Sequence, residues 1–175
     1  IENFKKRGQG FYQVIDHMDE LVRIKDFANK VHGHYRDIVV LGIGGSSLGT
    51  ICLQQSLKHL FENEKHINGI PKLHVLDNID PALMREIQDV ISLPETLFLV
   101  VTKSGSTPET LAQYCYFRSL TDAMHLSPKE HFVFITDPRK GLLREISIKE
   151  QIPCFDLPPN VGGRFPVLTA VGLLP

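Results

Sequence analysis

Apolar, β-branched runs alternate along the chain with segments that are long enough to form helices. The runs at residues 37–41, 72–76, 97–102, 131–136 and 152–157 are nearly continuous in apolar side chains and do not alternate with polar ones. Such runs are typical of strands that are covered on both faces, as in a parallel sheet. Their starts lie about 20–35 residues apart, which leaves room for a crossover helix each time. We therefore predict five parallel strands.

The intervening segments carry helix signals. Helices are predicted at residues 47–62, 81–92, 108–125 and 140–149, with one more between residues 19 and 33. Asp80-Pro81 and Thr107-Pro108 each place a capping side chain before a proline at the first helical position. Alternating strands and helices predict an α/β fold: a three-layer αβα sandwich with a five-stranded, parallel, doubly wound sheet of the flavodoxin-like kind. Residues 1–36 are expected to form a helical lead-in to a single domain at 37–175.

Charge and composition narrow the function classes. The 175 residues include 19 Lys and Arg against 20 Asp and Glu, a net charge of −1, which excludes a polybasic nucleic-acid-binding domain. No apolar run approaches the ~18 residues of a membrane span. The three widely spaced cysteines fit neither a disulfide framework nor a metal site, so we expect buried thiols in a cytoplasmic protein. The first residue is Ile, and residues 165–175 are apolar, so we expect a fragment truncated at its C-terminal end.

The first candidate site is a glycine-rich turn at residues 41–49, with the sequence LGIGGSSLG. Ligands of open parallel sheets bind beyond the carboxyl ends of the strands, and this turn follows the first of them. A helix start offers N–H groups and positive dipole charge, and Ser46 and Ser47 add hydroxyls, so the turn suits a phosphate or a sugar oxygen. A dinucleotide fold is less favoured, because Asp77 lies about 30 residues on, where that fingerprint expects ~20. A merely tight turn also remains open.

The second candidate site is the loop at residues 101–110, where hydroxyl side chains surround Gly105. Its hydroxyl residues are Thr102, Ser104, Ser106 and Thr107. Several O–H and N–H donors in one concave loop suit a phosphate dianion. Lys103 either adds a formal charge or points to solvent, and Thr107 could instead simply cap the next helix. Because Lys103 precedes the glycine, the loop does not match a nucleotide-binding P-loop.

The third candidate site is the loop at residues 157–165, which combines two prolines and two glycines with Arg164. The prolines stiffen the approach to the turn, and Gly162 and Gly163 permit an unusual backbone path. An arginine delivered at this edge of the sheet is either paired within the fold or held to meet an anion. Together with the other two loops, it favours an anionic ligand.

The three blocks together resemble the glucose-6-phosphate isomerase family in its bacterial form. The loops at 41–49 and 102–110 resemble the family's first signature and its phosphate-binding loop, which alone indicate only a sugar isomerase (SIS) domain. Residues 160–165, NVGGRF, make the resemblance specific. Pro166 departs from it, because the family usually has Ser there. Proline cannot donate an N–H and restrains Phe165, so the local path beside Arg164 is expected to be altered.

The resemblance implies an aldose–ketose isomerase that interconverts glucose 6-phosphate and fructose 6-phosphate through an enediolate, without metal or organic cofactor, as a homodimer at full length. Arg164 would be the catalytic cation. The substrate-binding residues would be Gly45, Ser46, Thr102, Lys103, Ser104, Gly105, Ser106, Thr107 and Gly163. The family's general base Glu and its His and Lys follow the third block, where no residue of this sequence matches them. Alternatives are a non-catalytic phosphosugar-binding regulatory SIS module and another sugar-phosphate isomerase.

Overall fold

A single parallel sheet forms the centre of the molecule. The computed structural model describes residues 3, 10–14, 18–65 and 69–175. The strands are β1 (Asp37–Leu41), β2 (Lys72–Leu76), β3 (Thr96–Thr102), β4 (Phe132–Thr136) and β5 (Cys154–Asp156). Their order is β2-β1-β3-β4-β5, and every neighbouring pair is parallel. This is the flavodoxin-like order, in which the switch point lies between β1 and β3. The predicted α/β fold is therefore confirmed.

The helices connect these strands. They are α1 (Met18–Val31), α2 (Gly45–Leu57), α3 (Pro81–Val90), α4 (Pro108–Ala123), α5 (Pro128–His131), α6 (Leu142–Glu150) and α7 (Ala170–Leu173). The predicted cap of α3 is present, because Asp80 Oδ1 accepts hydrogen bonds from the amides of Ala82 at 2.7 Å and Leu83 at 3.3 Å. The short helices α5 and α7 carry too few residues for a periodic pattern and were not predicted.

Both faces of the sheet are covered, as the continuous apolar runs predict. On one face Phe98 and Val100 of β3 pack in a core that includes residues of α3, α4 and α6. On the other face Leu97, Leu99 and Val101 pack with residues of α1 and α7. Helix α2 joins this second layer, where it contacts α7. The three-layer sandwich is thereby confirmed, and the layers fix the loops at the carboxyl ends of the strands.

The N-terminal lead-in contributes to the same core. Ile24 of α1 is buried in the second layer, where Phe27 contacts Phe155 of β5 edge to face at 5.5 Å between ring centroids. Residues 1–2, 4–9 and 15–17 of the lead-in lie outside the described residues. The domain boundary at residue 36 stays a prediction. No helix in the described part of the chain is long and apolar enough to cross a membrane.

The expected burial of the cysteines is wrong for two of the three. Cys52 of α2 and Cys115 of α4 are exposed, and Cys154 of β5 is partly buried. The outer faces of α2 and α4 carry these two thiols, whereas the inner face of α4 buries Tyr114 and Phe117. Apolar sequence neighbours therefore do not predict which face of a helix carries a cysteine.

Candidate functional site

The loops after β1, β3, β4 and β5 share a cleft of about 720 Å³ at the carboxyl edge of the sheet. Six of the predicted site residues line it: Ser46, Thr102, Lys103, Ser104, Ser106 and Thr107. Four other lining residues were not predicted: Ile43, Asp137, Lys140 and Pro159. Gly45, Gly105, Gly163 and Arg164 are not among the lining residues.

The hydroxyl groups of the second loop converge on one another. Thr102 Oγ1 lies 2.5 Å from Thr107 Oγ1 and 3.4 Å from Ser104 Oγ. Ser104 Oγ lies 3.3 Å from Thr107 Oγ1 and also accepts the amide proton of Ser106 at 3.2 Å. Because a hydroxyl proton rotates freely about its C–O bond, these groups can redirect their hydrogens to an anion in the cleft.

Thr107 does not cap α4, although it stands at the capping position. Its side chain makes no hydrogen bond to the backbone amides of the first helical turn. The hydroxyl instead belongs to the cluster with Thr102 and Ser104. The capping interpretation of this loop is therefore wrong for Thr107, and the side chain is available for a ligand.

Gly105 places the loop at residues 101–110 against the turn between β4 and α6. Its φ is +70°, and a Cβ there would lie 2.9 Å from Gly141 Cα and 3.0 Å from Thr136 Oγ1. Two hydrogen bonds fasten the contact, from the amide of Leu143 to Gly105 O at 3.1 Å and from the amide of Leu142 to Ser106 Oγ at 3.5 Å. The two loops therefore form one surface.

The first turn offers a hydroxyl and few free amides. The amides of Ser46 and Ser47 donate to Ile43 O at 3.2 Å and Gly44 O at 3.0 Å, so the expected outward N–H groups are occupied there. Ser47 Oγ also donates to Gly44 O, at 3.0 Å. The hydroxyl of Ser46, which has no partner among the described residues, is the donor that the first turn presents to the cleft.

The first and third loops touch through their backbones. A Cβ built on Gly45 would lie 1.8 Å from Gly163 O and 3.1 Å from Arg164 Cα. No L side chain fits this approach, so glycine at position 45 serves loop packing whether or not it contacts a ligand. The turn after β1 and the Gly-Gly-Arg segment are thus adjacent at one edge of the sheet.

Lys103 joins the second loop to the third. Its ammonium group donates hydrogen bonds to Pro159 O at 3.0 Å and to Val161 O at 2.6 Å. An ammonium has three N–H donors, so two are already used within the protein. The charge of Lys103 lies at the wall of the cleft, and its role toward a phosphate stays a prediction.

The Arg164 side chain is exposed and makes no hydrogen bond or ion pair with any described residue. The turn that carries it is held by a hydrogen bond from the amide of Phe165 to Gly162 O at 2.9 Å. The Phe165 ring stacks on Phe11 at 5.2 Å between centroids. Pro166 contributes its carbonyl oxygen, which accepts from Thr169 Oγ1 at 2.6 Å. The guanidinium is therefore a cation without a polar partner in the part of the chain that the structure describes.

The turn after β4 supplies the residues that sequence reasoning missed. Asp137 Oδ1 accepts the amide protons of Arg139 at 2.8 Å and Lys140 at 3.1 Å, so this aspartate caps the turn. Lys140 lines the cleft beside it. The signal was present, because the loop follows a buried strand at the same edge of the sheet as the other three. The described residues contain no cluster of three or more His, Cys, Asp or Glu able to hold a metal ion.

Comparison with known proteins adds independent information to this geometry. The family model described as phosphoglucose isomerase matches residues 5–175. A curated glucose-6-phosphate isomerase of Carboxydothermus hydrogenoformans is 43% identical over 160 residues, which cover 90% of this chain and 34% of that protein. The chain thus spans about a third of the length of that relative.

Two solved structures share the fold at appreciable sequence identity. A hypothetical protein of Thermus thermophilus, TT0462, is 31% identical with a TM-score of 0.83, over 95% of this chain and 38% of that one. A glucose-6-phosphate isomerase of Chlamydia trachomatis is 29% identical with a TM-score of 0.77, over 90% of this chain and 29% of that one. With the family match across nearly all of its residues, the chain belongs to the phosphoglucose isomerase family.

Proposed function

We propose that the protein to which this chain belongs interconverts glucose 6-phosphate and fructose 6-phosphate, and that this chain carries the phosphate-binding half of the site. The observation that carries the proposal is the hydroxyl cluster of Thr102, Ser104 and Thr107 at the wall of the strand-end cleft. Family membership supports the reaction class, since curated relatives bear that activity in their names. We further propose a cytoplasmic homodimer at full length.

The phosphate would sit against the hydroxyls of the second loop. Ser46 would approach it from the first turn, and Ser106 from the far side of the loop. A phosphate dianion accepts several hydrogen bonds at once, so a concave set of rotatable O–H donors suits it. Gly105 and Gly45 would act by allowing the loops to come this close. The sugar would then extend toward Gly163 and Arg164.

Arg164 would stabilise the negative charge of the enediolate that forms when a proton leaves C2 of the sugar. Its guanidinium is exposed and without a partner among the described residues, so it needs no bond broken before it meets an anion. A preorganised donor aimed at a developing oxyanion is commonly worth ~3–4 kcal/mol of barrier. Proton transfer between C1 and C2 needs a general base, for which this sequence holds no match. The 175-residue chain alone is therefore proposed to bind hexose phosphate weakly and to turn over little.

The decisive experiment is a calorimetric titration of the chain with 6-phosphogluconate, with gluconate as the ligand that lacks the phosphate. Ser104→Ala combined with Thr107→Ala should weaken binding of 6-phosphogluconate by about tenfold or more, because two hydrogen-bond donors to a charged group are lost. Ser56→Ala combined with Ser119→Ala removes two exposed helical hydroxyls and should leave the affinity unchanged. Equal affinity for both double variants would contradict the proposed site.

A further inference from the structure

The few charged residues that line the cleft differ in whether their side chains already make hydrogen bonds within the protein. Three lining residues carry formal charges: Lys103, Asp137 and Lys140. The Lys103 ammonium already donates to Pro159 O and Val161 O. Asp137 brings a negative charge that opposes any anion, although its Oδ1 is engaged by two backbone amides. The charges of Lys103 and Asp137 are opposite in sign and cancel. The net positive charge of the cleft lining therefore comes from Lys140.

Lys140 is free to use that charge. It is exposed, and its ammonium has no hydrogen-bond or ion-pair partner within the described part of the chain. Its backbone is nevertheless fixed, because its amide donates to Asp137 Oδ1 at 3.1 Å. The side chain thus carries a charge with no partner among the described residues, on a backbone that is hydrogen-bonded to Asp137.

The position of Lys140 relative to the hydroxyl cluster is set by direct contacts. Gly141, the next residue, packs on Gly105, where an added Cβ would approach Gly141 Cα to 2.9 Å. The amides that follow donate to Gly105 O and to Ser106 Oγ. The turn that carries Lys140 is therefore fastened to the loop that carries Ser104 and Thr107. Lys140 thus lines the same cleft as the hydroxyls of Ser104 and Thr107.

We infer that Lys140 supplies the formal positive charge that meets the phosphate group of the ligand in this cleft. This rests on the proposed function, because it assumes that the anion held by the hydroxyl cluster is a sugar phosphate. Hydroxyls give directional hydrogen bonds but no charge, and a dianion gains most from a nearby cation that has no other partner. Lys103, by contrast, holds the third loop.

The neighbouring residue Arg139 provides a matched control. Arg139 is also exposed and also donates its amide to Asp137 Oδ1, at 2.8 Å, but it does not line the cleft. Lys140→Gln and Arg139→Gln therefore remove the same charge from adjacent positions. Neither side chain contributes to the core, so both variants should keep the wild-type unfolding temperature, which circular dichroism would verify.

The test is a titration of the 175-residue chain and its variants with 6-phosphogluconate and with gluconate. In ~0.1 M salt, Lys140→Gln should weaken 6-phosphogluconate binding about five- to tenfold. Arg139→Gln should weaken it by less than about twofold, since the effect of a charge outside the cleft is screened over ~10 Å. Lys140→Arg should retain binding to within about twofold. The loss caused by Lys140→Gln should shrink in ~1 M salt, where the screening length falls to ~3 Å.

Two failures would be distinguishable. Equal losses for Lys140→Gln and Arg139→Gln, with binding still weakened about tenfold or more by the double variant Ser104→Ala and Thr107→Ala, would overturn the role of Lys140 and leave the phosphate site standing. No preference of the wild-type chain for 6-phosphogluconate over gluconate would overturn both the role of Lys140 and the proposed function.

Discussion

The ammonium nitrogen of Lys103 lies 2.6 Å from the carbonyl oxygen of Val161, although 58 residues separate them in the chain. The same ammonium donates a second hydrogen bond, to Pro159 O at 3.0 Å. Lys103 therefore links the loop after β3 to the loop after β5. Val161 is buried, so its carbonyl oxygen has little access to water as an alternative donor.

Replacing Lys103 by Met should therefore destabilise the fold. The substitution keeps most of the aliphatic stem but removes both hydrogen bonds, and it leaves a buried carbonyl without its donor. We expect the free energy of unfolding to fall by about 1–2 kcal/mol, measured by urea denaturation. Lys149→Met, at an exposed position on α6, is the control and should change stability by less than ~0.5 kcal/mol. Equal changes in the free energy of unfolding at the two positions would show that the hydrogen bonds of Lys103 do not stabilise the fold.

Gly45 and Gly163 offer a second pair of contrasting substitutions. Gly45→Ala would place a methyl group 1.8 Å from Gly163 O, and the obstacle is backbone that cannot rotate away. We expect the free energy of unfolding to fall by about 2–3 kcal/mol through overpacking, or the segment 162–164 to move from the first turn.

The reciprocal substitution is the control. A Cβ at Gly163 would meet no atom within 4 Å. Gly163→Ala should therefore change the free energy of unfolding by less than about 1 kcal/mol in either direction. Chemical denaturation of both variants checks the pair. If Gly45→Ala and Gly163→Ala lower the free energy of unfolding equally, the contact between the first and third loops does not constrain the fold.

The strands were the most predictable part of this molecule. The ranges 37–41 and 72–76 match β1 and β2 at both ends. Each begins with a charged residue, Asp37 or Lys72, and continues into a mainly apolar run. The last strand is shorter than predicted. Although Ile152 and Leu157 are buried, the amide of Ile152 donates to Ser147 O at the end of α6, so burial alone overstated the strand.

The site was predictable in its loops and less so in its side chains. The strand-end rule located the loops that form the cleft, because parallel strands present their carboxyl ends at one edge. The direction of Lys103 depends on carbonyl oxygens more than fifty residues away, and no local pattern encodes it. Thr107 stands at a capping position before a proline, so only its tertiary neighbours Thr102 and Ser104 decide that it does not cap.

The three cysteines should differ in reactivity. Burial raises the pKa of the Cys154 thiol, and the Arg144 guanidinium offsets this only in part. A raised pKa leaves less thiolate, the reactive form, at any given pH. Cys52 and Cys115 are exposed and should be alkylated by iodoacetamide before Cys154, which should react only at higher pH. Mass spectrometry of the labelled peptides from pH 7 to pH 10 tests this order. Faster labelling of Cys154 than of the other two cysteines would contradict it.

Thr107 and Asp80 stand at equivalent positions before prolines, yet only Asp80 caps its helix. Asp80→Ala should lower the free energy of unfolding by about 1 kcal/mol, because the amides of Ala82 and Leu83 lose their acceptor, and should leave ligand affinity unchanged. Thr107→Val keeps the shape of the side chain and removes its hydroxyl. We expect it to weaken 6-phosphogluconate binding about five- to tenfold, as a hydrogen bond to a charged group is lost, while unfolding changes by less than ~1 kcal/mol.

The two variants should thus show opposite patterns in two measurements, urea denaturation and ligand titration. Such a crossed result separates a ligand-binding threonine from a helix-capping one, which a single measurement on Thr107 could not do. If Thr107→Val instead destabilised the chain as Asp80→Ala does and bound 6-phosphogluconate normally, the hydroxyl of Thr107 would serve the fold. The cleft would then lose the central member of its hydroxyl cluster, which accepts or donates to both Thr102 and Ser104.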